Sequence, residues 1–119
     1  MTTEELVKRL VELVQEGKNL QAEEELYAPD VLSVEQNGHS VRGLEAIMAK
    51  TKGAIEGMQE MHGGGVSEAY VGEDNFLLVF DMDFTPKGGE RMQMKEYGFY
   101  KVREGKVVEE YFYAQPTQL

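Results

Sequence analysis

Apolar residues recur at helical spacing in the first half of the chain and alternate in the second. In residues 4–16, EELVKRLVELVQE, Leu6, Leu10, Leu13 and Val14 form a helical stripe that Val7 and Val11 widen. Thr3 is a candidate cap and Gly17 a stop signal. LQAEEELYA (20–28) predicts a short second helix closed by Pro29, and the β-branched run DVLSVEQ (30–36) a short strand ended by the Asn37-Gly38 turn. LEAIMAKTKGAIEGM (44–58) predicts a third helix, with Leu44, Ile47, Met48, Thr51, Ile55 and Met58 at helical spacing. Gly53 and Gly57 weaken it.

The period then changes to two. Residues 59–71 predict an irregular strand bent or bulged at Gly63-Gly64-Gly65. In NFLLVFDMDFT (75–85), Phe76, Leu78, Phe80, Met82 and Phe84 share one face, with Asp81 and Asp83 on the other. ERMQMKEYGFYKV (90–102) puts Met92, Met94, Glu96, Gly98, Tyr100 and Val102 opposite Arg91, Gln93, Lys95, Tyr97, Phe99 and Lys101. A hairpin turn at Arg103-Glu104-Gly105-Lys106 leads to a last strand, VVEEYFYA (107–114). The expected fold class is α+β, with about three N-terminal helices packed on one face of a curved, mostly antiparallel sheet. Leu10, Phe80 and Phe84 are expected core residues.

The length of 119 residues fits a single domain over 1–119. No cysteine is present, which excludes disulfides, thiolate metal sites and thiol nucleophiles and fits a reducing, cytoplasmic setting. The start, Met1-Thr2-Thr3-Glu4-Glu5, lacks the basic and apolar parts of a signal peptide, and no apolar run is long enough to span a membrane. A formal net charge of −10 argues against nucleic acid and anionic membrane as partners. The glycine triplet at 63–65 lacks the strand–turn–helix setting of a nucleotide site. His39, His62 and the carboxylates show no metal-ligand spacing, so neither metal nor cofactor is expected.

LYAPDVLSVEQNG and VRGLEAI, followed by EMH and by DFTPKGGERMQMKEYGFYKVREGKVVEEYFY, resemble the SnoaL-like branch of the nuclear transport factor 2-like superfamily over roughly residues 5–114. The resemblance implies a conical sheet, a hydrophobic pocket between sheet and helices, and frequent homodimers packed through sheet surfaces. Its members include ketosteroid isomerases, polyketide cyclases, dehydratases, epoxide hydrolases and binding domains, so it fixes shape better than function. It places Glu35 where ketosteroid isomerases carry their general-base aspartate. Their oxyanion tyrosine and acid fall at or near Leu10 and Gly98, so that donor pair is missing in its usual form.

The candidate catalytic residues are Glu35, His62 and Glu96. Glu35 is either a base whose pKa burial lifts or an exposed glutamate at a strand end. His62 suits acid–base work beside the glycine bulge or closes a strand. Glu96 lies on an apolar strand face, where a carboxylate costs several kcal/mol unless paired, protonated or wet; either a pocket or a partner such as His62, Arg42 or Lys50 would remove that cost. All three are expected to converge on one cavity bounded by Met82, Tyr100 and Phe112. Glu110 is expected to face it and Glu109 to face away; Tyr27 joins the substrate-binding candidates. The implied function is a pocket for a small apolar molecule, in a cofactor-independent isomerase, cyclase or hydratase acting on a carbonyl compound. The alternative is a non-catalytic ligand-binding or dimerisation domain. Tyr97, Phe99, Tyr111 and Tyr113 fall opposite the pocket row and suggest a homodimer interface.

Overall fold

The first helix begins one residue earlier than its apolar stripe suggested. In the computed structural model, which describes residues 1–117, α1 spans Thr3–Gln15 and its cap is Thr2 rather than Thr3. The Thr2 hydroxyl accepts from the Glu5 amide while the Glu5 carboxylate accepts from the Thr2 amide, a reciprocal capping box. Two more helices follow, α2 (Asn19–Leu26) and α3 (Leu44–Glu56). The strands are β1 (Tyr27–Val34), β2 (Ser40–Arg42), β3 (Met58–Val71), β4 (Asn75–Pro86), β5 (Met92–Arg103) and β6 (Lys106–Thr117).

They form one sheet in the order β2-β1-β6-β5-β4-β3. Among the described residues only the β1–β6 pairing is parallel. The sequence predicted β1 from residue 30, with Pro29 closing the preceding helix. The strand instead starts at Tyr27 and contains Pro29 within a register irregularity between Tyr27 and Leu32, where no regular ladder bond is demanded of it. The short edge strand β2 was not anticipated; its three residues are too few to show alternation.

The glycine triplet fulfils its expectation. The β3–β4 register shifts between Met61 and Gly63. Gly64 and Gly65 adopt φ of +124° and +146°. A Cβ at Gly64 would collide with the Asp81 carbonyl, and one at Gly65 with the Gln15 amide, which reaches over from α1 to accept from the Val66 amide.

One face of the sheet carries Phe76, Leu78 and Phe80 of β4 with Tyr100 and Val102 of β5. Leu6, Val7, Leu10 and Leu13 of α1 cover it, joined by Ala22, Leu26 and Ile47. Phe76 is 1% exposed and stacks on Tyr100 with ring centroids 4.5 Å apart. Leu10 and Phe84 are buried as expected. Phe80 is only half-buried, in a row with Glu96 and Ala114 that is itself partly exposed. No helix is long and apolar enough to cross a membrane among the described residues.

Candidate functional site

Register builds the site in rows across the inner face. Ser33 of β1 lies beside Glu110 of β6, which lies beside Tyr100 of β5 and then Phe76 of β4. The next row is Phe112, Gly98 and Leu78, and the one beyond it Ala114, Glu96 and Phe80. Met94 and Met82 follow. Period-2 alternation therefore puts Glu110, Glu96, Tyr100, Phe112 and Met82 on the helix-facing side. Glu109 faces out, accepting from the Tyr111 hydroxyl.

The helices supply the remaining groups. Lys50 of α3 donates to Ser33 Oγ at 2.8 Å and to Glu35 Oε1 at 2.9 Å, and its ammonium lies 5.7 Å from the Phe112 ring centroid. Glu23 of α2 accepts from Thr51 of α3 at 2.6 Å through Oε2, while its Oε1 is buried and unpartnered among the described residues. The Tyr27 hydroxyl donates to Glu110, which is 1% exposed.

Glu23, Glu35, Glu96 and Glu110 thus gather around Lys50. Burial pushes the Glu23 carboxyl up to about 7, with the Glu110 charge adding to it. Burial likewise pushes Glu96 up to about 7, and the Glu35 and Glu110 charges reinforce it. Glu110 is raised by burial, with the Tyr27 hydrogen bond opposing. The Tyr27 and Tyr100 phenols are held well above their ordinary value, chiefly by burial and next by the charge of Glu110. Glu96 keeps partial solvent exposure, and among the described residues its side chain makes no hydrogen bond. Such a group can take up or release a proton near neutrality without first breaking a contact.

Gly98 has a structural task in this arrangement. The Tyr100 ring folds back along β5, so that a Cβ at Gly98 would lie 2.9 Å from the tyrosine hydroxyl oxygen. The hydroxyl thereby occupies the space a side chain at Gly98 would take. Of the tyrosines able to offer a donor to the inner face, Tyr27 is engaged by Glu110 and Tyr100 is not hydrogen-bonded among the described residues.

His62 does not join this cluster. Its Nε2 lies 2.8 Å from Thr85 Oγ1 and its Nδ1 3.9 Å from Glu60. Thr85 shares the outer face of β4 with Asp83, which is paired to Arg91 and Gln93. The expected convergence of Glu35, His62 and Glu96 is therefore corrected: His62, next to Met61 whose partner Phe84 is on the inner face, points to the outside of the sheet, while Glu96 feels the charges of Glu35 and Glu110. Glu35 meets Lys50, one of the partners considered above for Glu96.

Glu23 and Lys50 were missed as site residues. Glu23 stands in a run of three glutamates and lies three residues before buried Leu26. Lys50 lies three residues after buried Ile47. In both cases the i, i+3 spacing marks the inward stripe. On the outer face, a depression of about 360 Å³ is lined by Leu77, Tyr97, Phe99, Tyr111 and Tyr113, with Phe112 and residues 34–36. It is lined by Glu35 and Phe112 but by none of Glu23, Glu96 or Glu110.

The chain is similar to a crystal structure from Mesorhizobium loti that is provisionally described as a SnoaL-like polyketide cyclase. The two are 41% identical, the match covers 95% of this chain and 99% of that one, and the TM-score is 0.88. A provisionally described SnoaL-like polyketide cyclase from Jannaschia sp. CCS1 shares 18% identity over 95% of this chain and 85% of that one, with a TM-score of 0.81. A hypothetical protein with a ketosteroid isomerase-like fold from Catenulispora acidiphila, solved with trimethylamine, shares 20% identity over 94% and 86%, with a TM-score of 0.75. No protein of curated function matches the chain significantly. The sequence profile of the SnoaL-like domain matches residues 1–114, from the capped first helix through the last inner-face strand, and the chain belongs to that family.

Proposed function

We propose that the protein is a cofactor-independent acid–base catalyst of the isomerase, cyclase or hydratase kind, acting on a small carbonyl compound at the inner-face cluster. The observation that carries this reading is Glu96: a partly accessible carboxyl, free of side-chain hydrogen bonds among the described residues, held at about 7 by burial and by Glu35 and Glu110. A base whose pKa matches the working pH removes a proton next to a carbonyl most efficiently. The Tyr100 hydroxyl, lying over Gly98, donates to the carbonyl oxygen as negative charge develops there. Glu96 then returns the proton to a second carbon, or to a leaving oxygen in a hydratase. Glu35 is engaged by Lys50 and orients that ammonium rather than acting as the free base. His62 takes no part.

The test is proton–deuterium exchange into a panel of small ketones and enones, followed by NMR, with carboxyl carbon titration alongside. The Glu96 resonance, assigned by its loss in Glu96→Gln, is expected to titrate near 7. Exchange in Glu96→Gln should fall about 100-fold or more. A Glu96 midpoint in the ordinary carboxylate range would remove the basis of this reading and leave a ligand-binding domain.

The outer face supports a further part of the proposal, a homodimer. Tyr113 is 60% and Phe99 36% exposed, and Tyr97 and Tyr111 flank them across paired strands. An aromatic patch of this kind on an open sheet marks an association surface. Sedimentation is expected to show a dimer at tens of micromolar, roughly the range of ordinary protein affinities. Tyr113→Glu should shift it to monomer without loss of fold, and a wild-type chain that stays monomeric would refute the interface.

A further inference from the structure

The inner-face cluster holds more negative charge than the protein itself neutralises. Glu23, Glu35, Glu96 and Glu110 are drawn together from α2, the end of β1, β5 and β6, and Lys50 is the cation set among them. Lys50 spends its hydrogen bonds on Ser33 and Glu35. That leaves Glu96 without a donor. It also leaves Glu23 Oε1 without one, although Glu23 is 9% exposed and this oxygen is fully buried. A buried acceptor with no donor is a costly arrangement and calls for an occupant or a proton. The remaining walls are aromatic: Tyr100 and Phe112 meet edge to face with centroids 6.0 Å apart. Lys50 already uses the Phe112 face as a cation platform.

Carboxylate oxygens lacking donors, beside aromatic faces, are complementary to an organic cation that carries N–H groups. We propose that the small molecule taken by this site bears a protonated amine, whose N–H groups donate to Glu96 and, behind it, to the Glu23–Glu110 side of the cluster. A bare metal ion fits less well, since among the described residues no group of three carboxylate or histidine side chains is gathered as ligands. An apolar ligand would leave the orphan oxygens unpaired. The inference rests on the proposed site but not on its chemistry, for an amine would be recognised there with or without a proton-transfer step.

Charge also makes the binding pH-dependent in a defined direction. With the site empty, Glu23 and Glu96 hold protons up to about 7. An ammonium stabilises their ionised forms, so its binding expels protons and tightens as the pH rises through that value. The other groups facing the cluster are Glu35, Glu110, Lys50, Tyr27 and Tyr100. The two phenols stay neutral throughout, and Glu110, raised by burial, contributes in the same sense as Glu23 and Glu96.

The experiment titrates the whole chain with tert-butylammonium and with its neutral isostere tert-butanol, read by amide chemical shifts at pH 5.5 and pH 8. The amine stays protonated at both. It is expected to perturb residues around Glu96, Tyr100 and Lys50 and to bind about tenfold more tightly at the higher pH. Tert-butanol should bind more weakly and without pH dependence. Glu96→Gln should weaken the amine about tenfold, whereas Asp81→Asn, on the outer face, should not. Equal affinity for alcohol and amine, stronger perturbation by magnesium ion, or shifts confined to the outer face would each overturn the proposal. If the alcohol binds as well as the amine while Glu96 still titrates near 7, the cation inference alone falls. If the amine binds while Glu96 titrates as an ordinary carboxyl, the acid–base reading alone falls.

Discussion

Raising the pH from about 5 to about 8 is expected to lower the melting temperature by roughly 10 °C, the reverse of the usual behaviour of carboxylate-rich proteins. The cause is the inner-face cluster. Glu23 and Glu96 have native pKa values lifted from 4.5 to about 7, so the native state holds their protons more tightly than the unfolded chain does. Stability from these groups is fully present below 4.5, declines as the pH climbs through about 7, and is level above that. Each such displacement corresponds to on the order of 3 kcal/mol for a well-buried group, and less for Glu96, which solvent partly screens. Because the two carboxyls share one field, their contributions do not simply add, and about 3 kcal/mol in total is the expected scale.

The outer-face pair works in the opposite sense but outside this window. Arg91 holds Asp83 at about 2, so its contribution is present above 3.8 and is lost only as the pH falls toward 2. The net charge of −10 adds self-repulsion of the same sign as the cluster effect. Calorimetry on Glu23→Gln/Glu96→Gln separates the two: the double variant should lose most of the slope between pH 5 and 8. A wild-type melting temperature that rises over that interval would mean the carboxyls are better solvated than their packing implies.

The second large effect is expected at Phe76. Truncating this residue to alanine should cost about 3–5 kcal/mol, a large share of the roughly 5–15 kcal/mol that holds a domain of this size together. Phe76 is 1% exposed and stacked within 9° of parallel on Tyr100, so the loss combines a cavity with a broken aromatic pair. The damage should reach the site. Tyr100 is held over Gly98 from one side by Phe76 and from another by the edge of Phe112. Urea unfolding should show Phe76→Ala well below Phe80→Ala, because Phe80 borders the partly open row at Glu96. Equal losses at the two positions would mean that Phe80 is packed as fully as Phe76.

Helix-period stripes and period-2 alternation were enough to give the α+β class and to separate the face carrying Phe76, Glu96 and Tyr100 from the face carrying Asp81 and Tyr97. Both are local properties of the backbone, since side-chain direction follows from φ and ψ alone. Glu96 could be singled out for the same reason: a carboxylate in an apolar row is an anomaly in one strand, before any partner is known. The order of β1 beside β6 was different, because a parallel pairing across the whole chain leaves no trace in either segment. That pairing puts Ser33 next to Glu110. The α3 packing brings Lys50 onto Ser33 and Glu35 and Thr51 onto Glu23. Glu23 is one of three consecutive glutamates, and burial depends on what packs against a helix and not on its own spacing alone. His62 lies on the other side because it follows Met61, whose partner Phe84 is on the inner face, and the bulge then adds a residue before Gly63 opposite Asp83. A one-residue change of register is invisible in a glycine-rich segment, where no side chain shows which way the strand faces.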